Sequence, residues 1–242
     1  MAKRVLIVTT SHARLGTTAH PTGVWAEELT TPYYALRDAG LDVTVASVAG
    51  GEVPFDPRSL PAGAGQKGGE EPSAQQEETP ESVLRFFDDE ALVMAVKDTP
   101  AVENLNSRDY DAIFLPGGHG TMWDLPGSHS LAELLSEAAE SGRVVSAVCH
   151  GPAGLIGAKR SDGRPLVEGR RVTGFTNSEE EGVGLQQVVP FLLEDKLREL
   201  GGLYECVEDW QPFAVRDGNL ITGQNPQSSA EVARLVIDAL KG

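Results

Sequence analysis

A cysteine followed directly by a histidine, Cys149-His150, stands between the apolar run Val144–Val148 and a Gly-Pro pair. A buried strand that ends in one such residue, with small residues after it, is typical of a nucleophile elbow. A helix predicted over 153–158 would point its N-terminus at the sulfur and lower the pKa of the thiol. The alternative is a small buried cysteine beside a surface histidine. The combination of strand, Cys, His and Gly-Pro favours a catalytic thiol.

A glycine-rich turn follows another apolar run, 112–115, and contains Gly117, Gly118 and His119. In open α/β sheets ligands bind at the carboxyl ends of the strands, where this turn is expected. Glycines let the backbone approach a reacting centre, and their amides could stabilise an oxyanion. An ordinary turn between strand and helix fits equally well. No Gly-Lys-Ser/Thr follows, so the turn is not a phosphate loop.

Two acidic stretches could supply a carboxyl group to these turns. Glu27 and Glu28 lie near the start of a helix predicted over 25–39, where consecutive side chains diverge by about 100°, so only one can point inward. The second stretch, 178–181, follows a predicted strand and could equally be a solvated acidic loop. The histidines and cysteines lack the spacing of metal ligands, so we predict no metal site.

Composition limits the classes of protein that remain. The 242 residues carry a net charge of −16, which disfavours binding to nucleic acid or to anionic membranes. No stretch approaches the roughly 20 apolar residues needed to span a bilayer, and the N-terminus does not resemble a signal peptide. Because Cys149 and Cys206 lie in different surroundings, we expect both to be reduced, in a cytoplasmic protein.

Apolar β-branched runs alternate with helical patterns along the chain. This alternation predicts an α/β fold with three layers: a doubly wound, mostly parallel, flavodoxin-like sheet between helices. Residues 59–80 are rich in Gly, Pro, Gln and Glu and have almost no large apolar side chain. We interpret them as a polar insertion, because the alternation resumes afterwards. The sequence therefore predicts one domain over 1–242.

In these motifs the chain resembles the ThiJ/PfpI superfamily of class I glutamine amidotransferase-like proteins. It is most similar to the branch that contains glyoxalase III and heat-shock chaperones. The matching segments occur in order along nearly the whole chain: 23–28 with Pro32, 110–120, 147–152, 172–177 and 220–226. The long polar stretch 59–80 departs from the family, whose members have a shorter connection there.

The resemblance implies that Cys149 is the nucleophile and that His150 is its neighbouring base. It also implies an oxyanion hole formed by the Gly118 and His150 amides, with Gly117 and His119 lining the substrate site.

The acidic members of the site also follow from the resemblance. Glu28, four residues before Pro32, is expected to hydrogen-bond to the thiol. The third triad member should be an acidic residue shortly after the 173–176 segment. Spacing indicates Glu180, whereas Glu179 and Glu181 are one position away and stay open.

The resemblance implies a cofactor-free, glutathione-independent glyoxalase that converts methylglyoxal or a related 2-oxoaldehyde into a 2-hydroxy acid, with deglycase activity also implied. The partners expected are a small-molecule aldehyde and a second copy of the chain in a homodimer. Two alternatives stay open, a holdase chaperone and an intracellular cysteine peptidase. Glutamine amidotransfer is disfavoured, because residues 225–231 contain no histidine.

Overall fold

The computed structural model describes residues 2–61 and 79–242. Its eight strands are β1 Arg4–Thr9, β2 Asp42–Ser47, β3 Ala112–Leu115, β4 Val144–Val148, β5 Arg171–Val172, β6 Leu203–Tyr204, β7 Ala214–Asp217 and β8 Leu220–Gly223. The central sheet has the order β2-β1-β3-β4-β8-β7, and β5 pairs with β6 separately. The first five strands of the central sheet are parallel, and β7 joins its edge through an antiparallel hairpin with β8.

Eight α-helices accompany these strands in the described residues. They are α1 Ala26–Asp38, α2 Glu81–Asp88, α3 Glu90–Lys97, α4 Thr121–Asp124, α5 His129–Glu140, α6 Asn177–Gly182, α7 Leu193–Glu199 and α8 Ser229–Lys241. Helix α8 packs against α1, β4 and β8, and α5 packs against β3 and β4. Among the described residues, no helix has the length and apolar character needed to cross a bilayer.

The sheet is covered on both faces at its centre. Every residue of β3 and β4 is buried, although successive side chains of a strand point to opposite faces. Burial of this kind is typical of parallel strands between two helical layers, and it explains why these strands are continuous apolar runs in the sequence. The predicted fold class is confirmed, and the strand order is that of flavodoxin-like sheets.

The predicted insertion, 59–80, lies mostly outside the described residues, which omit 62–78. Strand β1 precedes this stretch and β3 follows it, and the two are hydrogen-bonded neighbours in one sheet. At its near end, the Ser59 hydroxyl accepts a hydrogen bond from the Ala26 amide at the start of α1, at 2.9 Å. That residues 1–242 form a single domain stays a prediction.

Parallel pairing determines where the chemistry-bearing turns lie. Because β3 and β4 are neighbouring parallel strands, their carboxyl ends open at the same edge of the sheet. Strand β3 leads into the glycine turn, and β4 leads directly into Cys149.

Candidate active site

Cys149 occupies a strained backbone position at the end of β4. Its φ is +58°, a conformation that side chains other than glycine rarely adopt. The surrounding backbone holds it there: the Cys149 amide donates to the Gly223 carbonyl at 3.0 Å, and its carbonyl accepts from the Phe175 amide at 2.8 Å. Strain supported in this way is typical of functional turns. The side chain is nevertheless buried.

His150 connects this sulfur to a carboxylate. Its Nδ1 lies 3.2 Å from Cys149 Sγ, and its Nε2 lies 2.8 Å from Glu180 Oε2. The ring is buried and packs against Phe175, with 4.4 Å between the ring centroids. When Nε2 carries the proton that Glu180 accepts, the lone pair of Nδ1 faces the thiol. A neutral His150 is therefore oriented to accept the Cys149 proton.

Among the three consecutive acidic residues, the structure places Glu180 against His150. The stretch is not a solvated loop but helix α6, which begins with a capping box between Thr176 and Glu179. Glu179 points elsewhere and accepts hydrogen bonds from the Trp210 amide and the Asn225 side chain. The next side chain around the helix, Glu180, is buried beside the imidazole, whereas Glu181 is exposed.

Glu28 approaches Cys149 from the other side, in the first turn of α1. It is completely buried; its Oε2 accepts a hydrogen bond from the Gly117 amide at 2.7 Å, while its Oε1 has no conventional partner. Burial raises the pKa of this carboxyl to about 8. Near neutral pH Glu28 therefore keeps its proton, and a neutral acid beside the sulfur can donate a hydrogen bond to a thiolate.

The expectation of a thiol pKa lowered by a helix dipole is wrong. The residues after Cys149 form only a short 3₁₀ helix, Gly151–Leu155, in place of the helix predicted over 153–158. Two glycines and a proline lie in this segment, and such residues disfavour a longer helix. Burial raises the pKa of the Cys149 thiol, and an ionised Glu28 would raise it further. Thiolate formation therefore depends on proton transfer to His150 and on a protonated Glu28.

The glycine turn after β3 packs against the nucleophile elbow. A Cβ on Gly117 would lie 2.5 Å from the backbone nitrogen of His150 and 2.8 Å from Glu28 Oε2, so only glycine fits there. Gly118 has a φ of +97°, which also favours glycine. The His150 amide lies close enough to the sulfur of Cys149 to lower the pKa of the thiol, so it is near the position where a reacting group would attach.

Two residues predicted to contact the oxyanion or the substrate, Gly117 and His119, have their polar atoms bonded to other protein groups. The Gly117 amide is already donated to Glu28, so it does not face a substrate oxygen. His119 is buried, with Nε2 2.9 Å from Glu180 Oε1 and Nδ1 3.4 Å from Arg58 Nη2. Both of its ring nitrogens are engaged by protein groups, which leaves neither for a substrate.

Comparison with known proteins agrees with this arrangement. The sequence profile of the DJ-1/PfpI family matches residues 88–239, more than half of the chain. The chain belongs to the DJ-1/PfpI family. It is 33% identical to the glutathione-independent glyoxalase HSP31 of Saccharomyces cerevisiae, over 99% of this chain and 98% of the yeast protein.

Solved structures of relatives have the same fold as this DJ-1/PfpI protein. The rapid encystment protein REP24 of Francisella tularensis superposes with a TM-score of 0.88 at 38% identity, over 98% of this chain and 99% of the other. Glyoxalase III of Candida albicans gives a TM-score of 0.84 at 29% identity, over 98% and 97% of the two chains. The family resemblance seen in the sequence motifs is thus confirmed.

Sequence reasoning missed Arg58 and Phe175 as neighbours of the site in this family member. Phe175 packs on both His150 and His119, and Arg58 reaches His119 from a 3₁₀ turn, Pro57–Ser59. Phe175 lies inside one of the matching motifs, 172–177, but no role was given to it. Arg58 belongs to none of the sequence motifs. It lies next to the polar stretch, and only the tertiary structure brings it to the site.

Ligand-type atoms of His119, His150 and Glu180 lie within 4.8 Å of one another. Each Nε2 is hydrogen-bonded to a different oxygen of the same carboxylate. A divalent ion would have to replace both hydrogen bonds, and we therefore assign no metal role to these residues. The prediction that the chain needs no metal stays a prediction.

Proposed function

We propose that this protein is a glutathione-independent glyoxalase that converts 2-oxoaldehydes such as methylglyoxal into 2-hydroxy acids. One observation supports this most strongly: a cysteine in a strained turn has a histidine base on one side and a buried, protonated acid on the other. Relatives that align over nearly the whole chain are named glutathione-independent glyoxalases. The roles given below to Cys149, His150, Glu28 and Glu180 belong to the proposal.

In the first step His150 takes the thiol proton, and the Cys149 sulfur attacks the aldehyde carbon. The new C–S bond gives a hemithioacetal, whose oxygen carries the negative charge until it is protonated. The Gly118 and His150 amides are the donors proposed for that oxyanion. Glu180 holds the imidazole in the orientation that the proton transfer requires, as the third member of a triad does.

In the second step a proton moves between the two substrate carbons. A base, His150 or Glu28 after its proton has passed to the hemithioacetal oxygen, removes the hydrogen of the former aldehyde carbon, which gives an enediol attached to sulfur. Return of a proton to the neighbouring carbon produces a 2-hydroxy thioester. Water then cleaves the C–S bond and releases the 2-hydroxy acid and the free thiol. The net reaction adds one water to the 2-oxoaldehyde and needs no external oxidant or reductant.

The test is incubation with methylglyoxal in the absence of glutathione, with lactate measured over time. We expect turnover by the wild type and none by Cys149→Ser, whose hydroxyl is a much poorer nucleophile. Cys206→Ser is the matched control, because this thiol is exposed and lies outside the site. Lactate formation by Cys149→Ser at the wild-type rate would refute the proposal. Cysteine-dependent hydrolysis of peptides without lactate formation would favour the peptidase instead.

A holdase chaperone is the second candidate, and an exposed apolar surface on α2 and α3 favours it. Leu84, Phe87 and Met94 are 51%, 45% and 64% exposed. Beside them lies a groove of about 300 Å³ whose lining includes Phe55 and Phe86. Exposed apolar surface of this kind can bind unfolded chains. Suppression of aggregation that survives in Cys149→Ser and is lost in Met94→Lys would support this role.

A homodimer in the cytoplasm completes the proposal. Both cysteines are free thiols, which agrees with a reducing compartment. Light scattering coupled to size exclusion would distinguish a monomer near 25.7 kDa from a dimer of twice that mass. Cell fractionation with an antibody to the chain would test the compartment.

A further inference from the structure

We infer that His119 is a positioning residue for the Cys149–His150–Glu180 triad, and that Arg58 selects which ring nitrogen of His119 carries the proton. The inference rests on the proposed function only in treating Cys149 as the reacting group. It is carried by a continuous chain of contacts that runs from Arg58 through His119 and Glu180 to His150.

Glu180 is the acceptor shared by the two histidines. Its Oε1 lies 2.9 Å from His119 Nε2 and its Oε2 lies 2.8 Å from His150 Nε2, and all three side chains are buried. An ionised carboxylate can only accept hydrogen bonds, so each Nε2 must donate. His119 therefore supplies one of the two side-chain donors that fix the rotation of the carboxylate, and the plane of that carboxylate aims the His150 ring at sulfur.

The tautomer of His119 is set on its opposite edge. Nδ1 lies 3.4 Å from Arg58 Nη2, and a guanidinium group has only donors. Nδ1 must then be the acceptor, and the ring proton must be on Nε2, where it faces Glu180. A neutral histidine with its proton on Nδ1 would turn two donors toward each other and two acceptors toward each other.

Arg58 is itself held in place for this contact. Its Nε and Nη2 donate to the two oxygens of Asp56, at 3.0 and 2.8 Å. Asp56 is completely buried and accepts a further hydrogen bond from the Thr22 hydroxyl at 3.0 Å. The guanidinium is thus a fixed donor beside His119, although the side chain of Arg58 is 46% exposed.

The charges around His119 keep it neutral. Its pKa is lowered to about 4, mainly by burial; the neighbouring His150 and Arg58 act in the same direction, whereas Glu180 acts in the opposite direction. Phe175 covers the remaining side with an uncharged ring. Among the described residues, the charged or titratable groups that act on this ring include His150, Glu180 and Arg58, and Asp56 lies behind Arg58.

The experiment measures alkylation of Cys149 by iodoacetamide as a function of pH, in Cys206→Ser protein. His119→Leu should lower the rate at pH 7 roughly tenfold or more, as expected for loss of one hydrogen bond to a charged group, and should move the midpoint of the profile upward. His119→Gln, whose amide can donate to Glu180, should restore most of the rate. His129→Leu, at an exposed histidine, is the control.

Arg58 has its own variants and its own readout. In Arg58→Met the ¹⁵N spectrum of the His119 ring should lose the pattern of a ring protonated only at Nε2, and Arg58→Lys should restore it. Wild-type alkylation profiles in both His119→Leu and Arg58→Met would overturn the inference. If His119→Leu does not fold, an unchanged ring spectrum and rate in Arg58→Met overturn it alone. Shifted profiles in a protein without glyoxalase activity would leave this inference intact and remove the proposed function.

Discussion

Glu28→Gln should stabilise the protein by an amount that grows with pH. Glu28 is fully buried and its pKa is raised from 4.5 to about 8. Because the folded state binds this proton more tightly than the unfolded chain does, the free energy of unfolding falls as the pH rises from about 4.5 to about 8. At pH 7 the free energy of unfolding is then about 3 kcal/mol lower than it is well below pH 4.5. Above pH 8 this loss approaches about 5 kcal/mol.

Glutamine removes this cost, because its side chain does not titrate and its oxygen can still accept from the Gly117 amide. We expect Glu28→Gln to raise the free energy of unfolding by about 2 kcal/mol or more at pH 7 and by less than about 1 kcal/mol at pH 5. The assay is urea unfolding at pH 5, 6, 7 and 8, followed by the fluorescence of the three tryptophans. Glyoxalase activity should fall in the same variant, because the acid's proton is lost.

Glu179→Gln is the matched control, since Glu179 is equally buried but fully used as an acceptor. Its oxygens accept from the Thr176 and Trp210 amides and from the side chains of Gln224 and Asn225. The N–H group of a glutamine amide would face some of the N–H groups that now donate to Glu179, so this variant should be less stable throughout pH 5–8. A Glu28→Gln effect that is destabilising, or that is the same at pH 5 and pH 8, would refute the reasoning.

Lactate formation by the wild type should decline as the pH passes about 8, where Glu28 loses its proton, in a pH–rate profile of kcat. Gly117→Ala should lower the free energy of unfolding by about 1–3 kcal/mol in urea titrations and reduce turnover, because the new Cβ would lie 2.5 Å from the backbone nitrogen of His150. Burial alone would raise the pKa of Glu180, but His150 and His119 lower it, so the carboxylate stays ionised near neutral pH. Glu180→Gln should therefore reduce kcat about 100-fold or more, with a smaller change in KM.

The nucleophile turn could be predicted from the sequence because buried parallel strands appear there as continuous apolar runs. Every residue of β3 and β4 is apolar or small, so their carboxyl ends, and the turns that follow, are marked in the chain itself. The side-chain partners of Glu179 were harder to foresee. The pattern Thr176-Asn-Ser-Glu179 is a capping-box signature, and recognising it would have assigned Glu179 to the helix start and left Glu180 for His150.

The rest of the site depends on packing that local sequence does not encode. Arg58 and His119 are 61 positions apart, and their contact arises only when the 3₁₀ turn at Pro57–Ser59 folds over the glycine turn. The predicted direction of the pKa shift of the Cys149 thiol is wrong for the same reason. A helix dipole can be anticipated from sequence, but the complete burial of Cys149 and Glu28 against each other is a property of the folded core.

The two carboxyl groups that flank Cys149 and His150 have opposite protonation states, and the difference comes from their neighbours. Glu180 faces two imidazoles that donate to it, whereas Glu28 receives one backbone amide and has no cation among the groups that shift its pKa. The same burial therefore leaves a fixed negative charge on one side and a proton-carrying acid on the other. A single change to glutamine would remove the cost of burying Glu28, because an amide does not titrate. An acid at this position is understandable if its proton is used, which is the role that a thiolate and an enediol next to it would require.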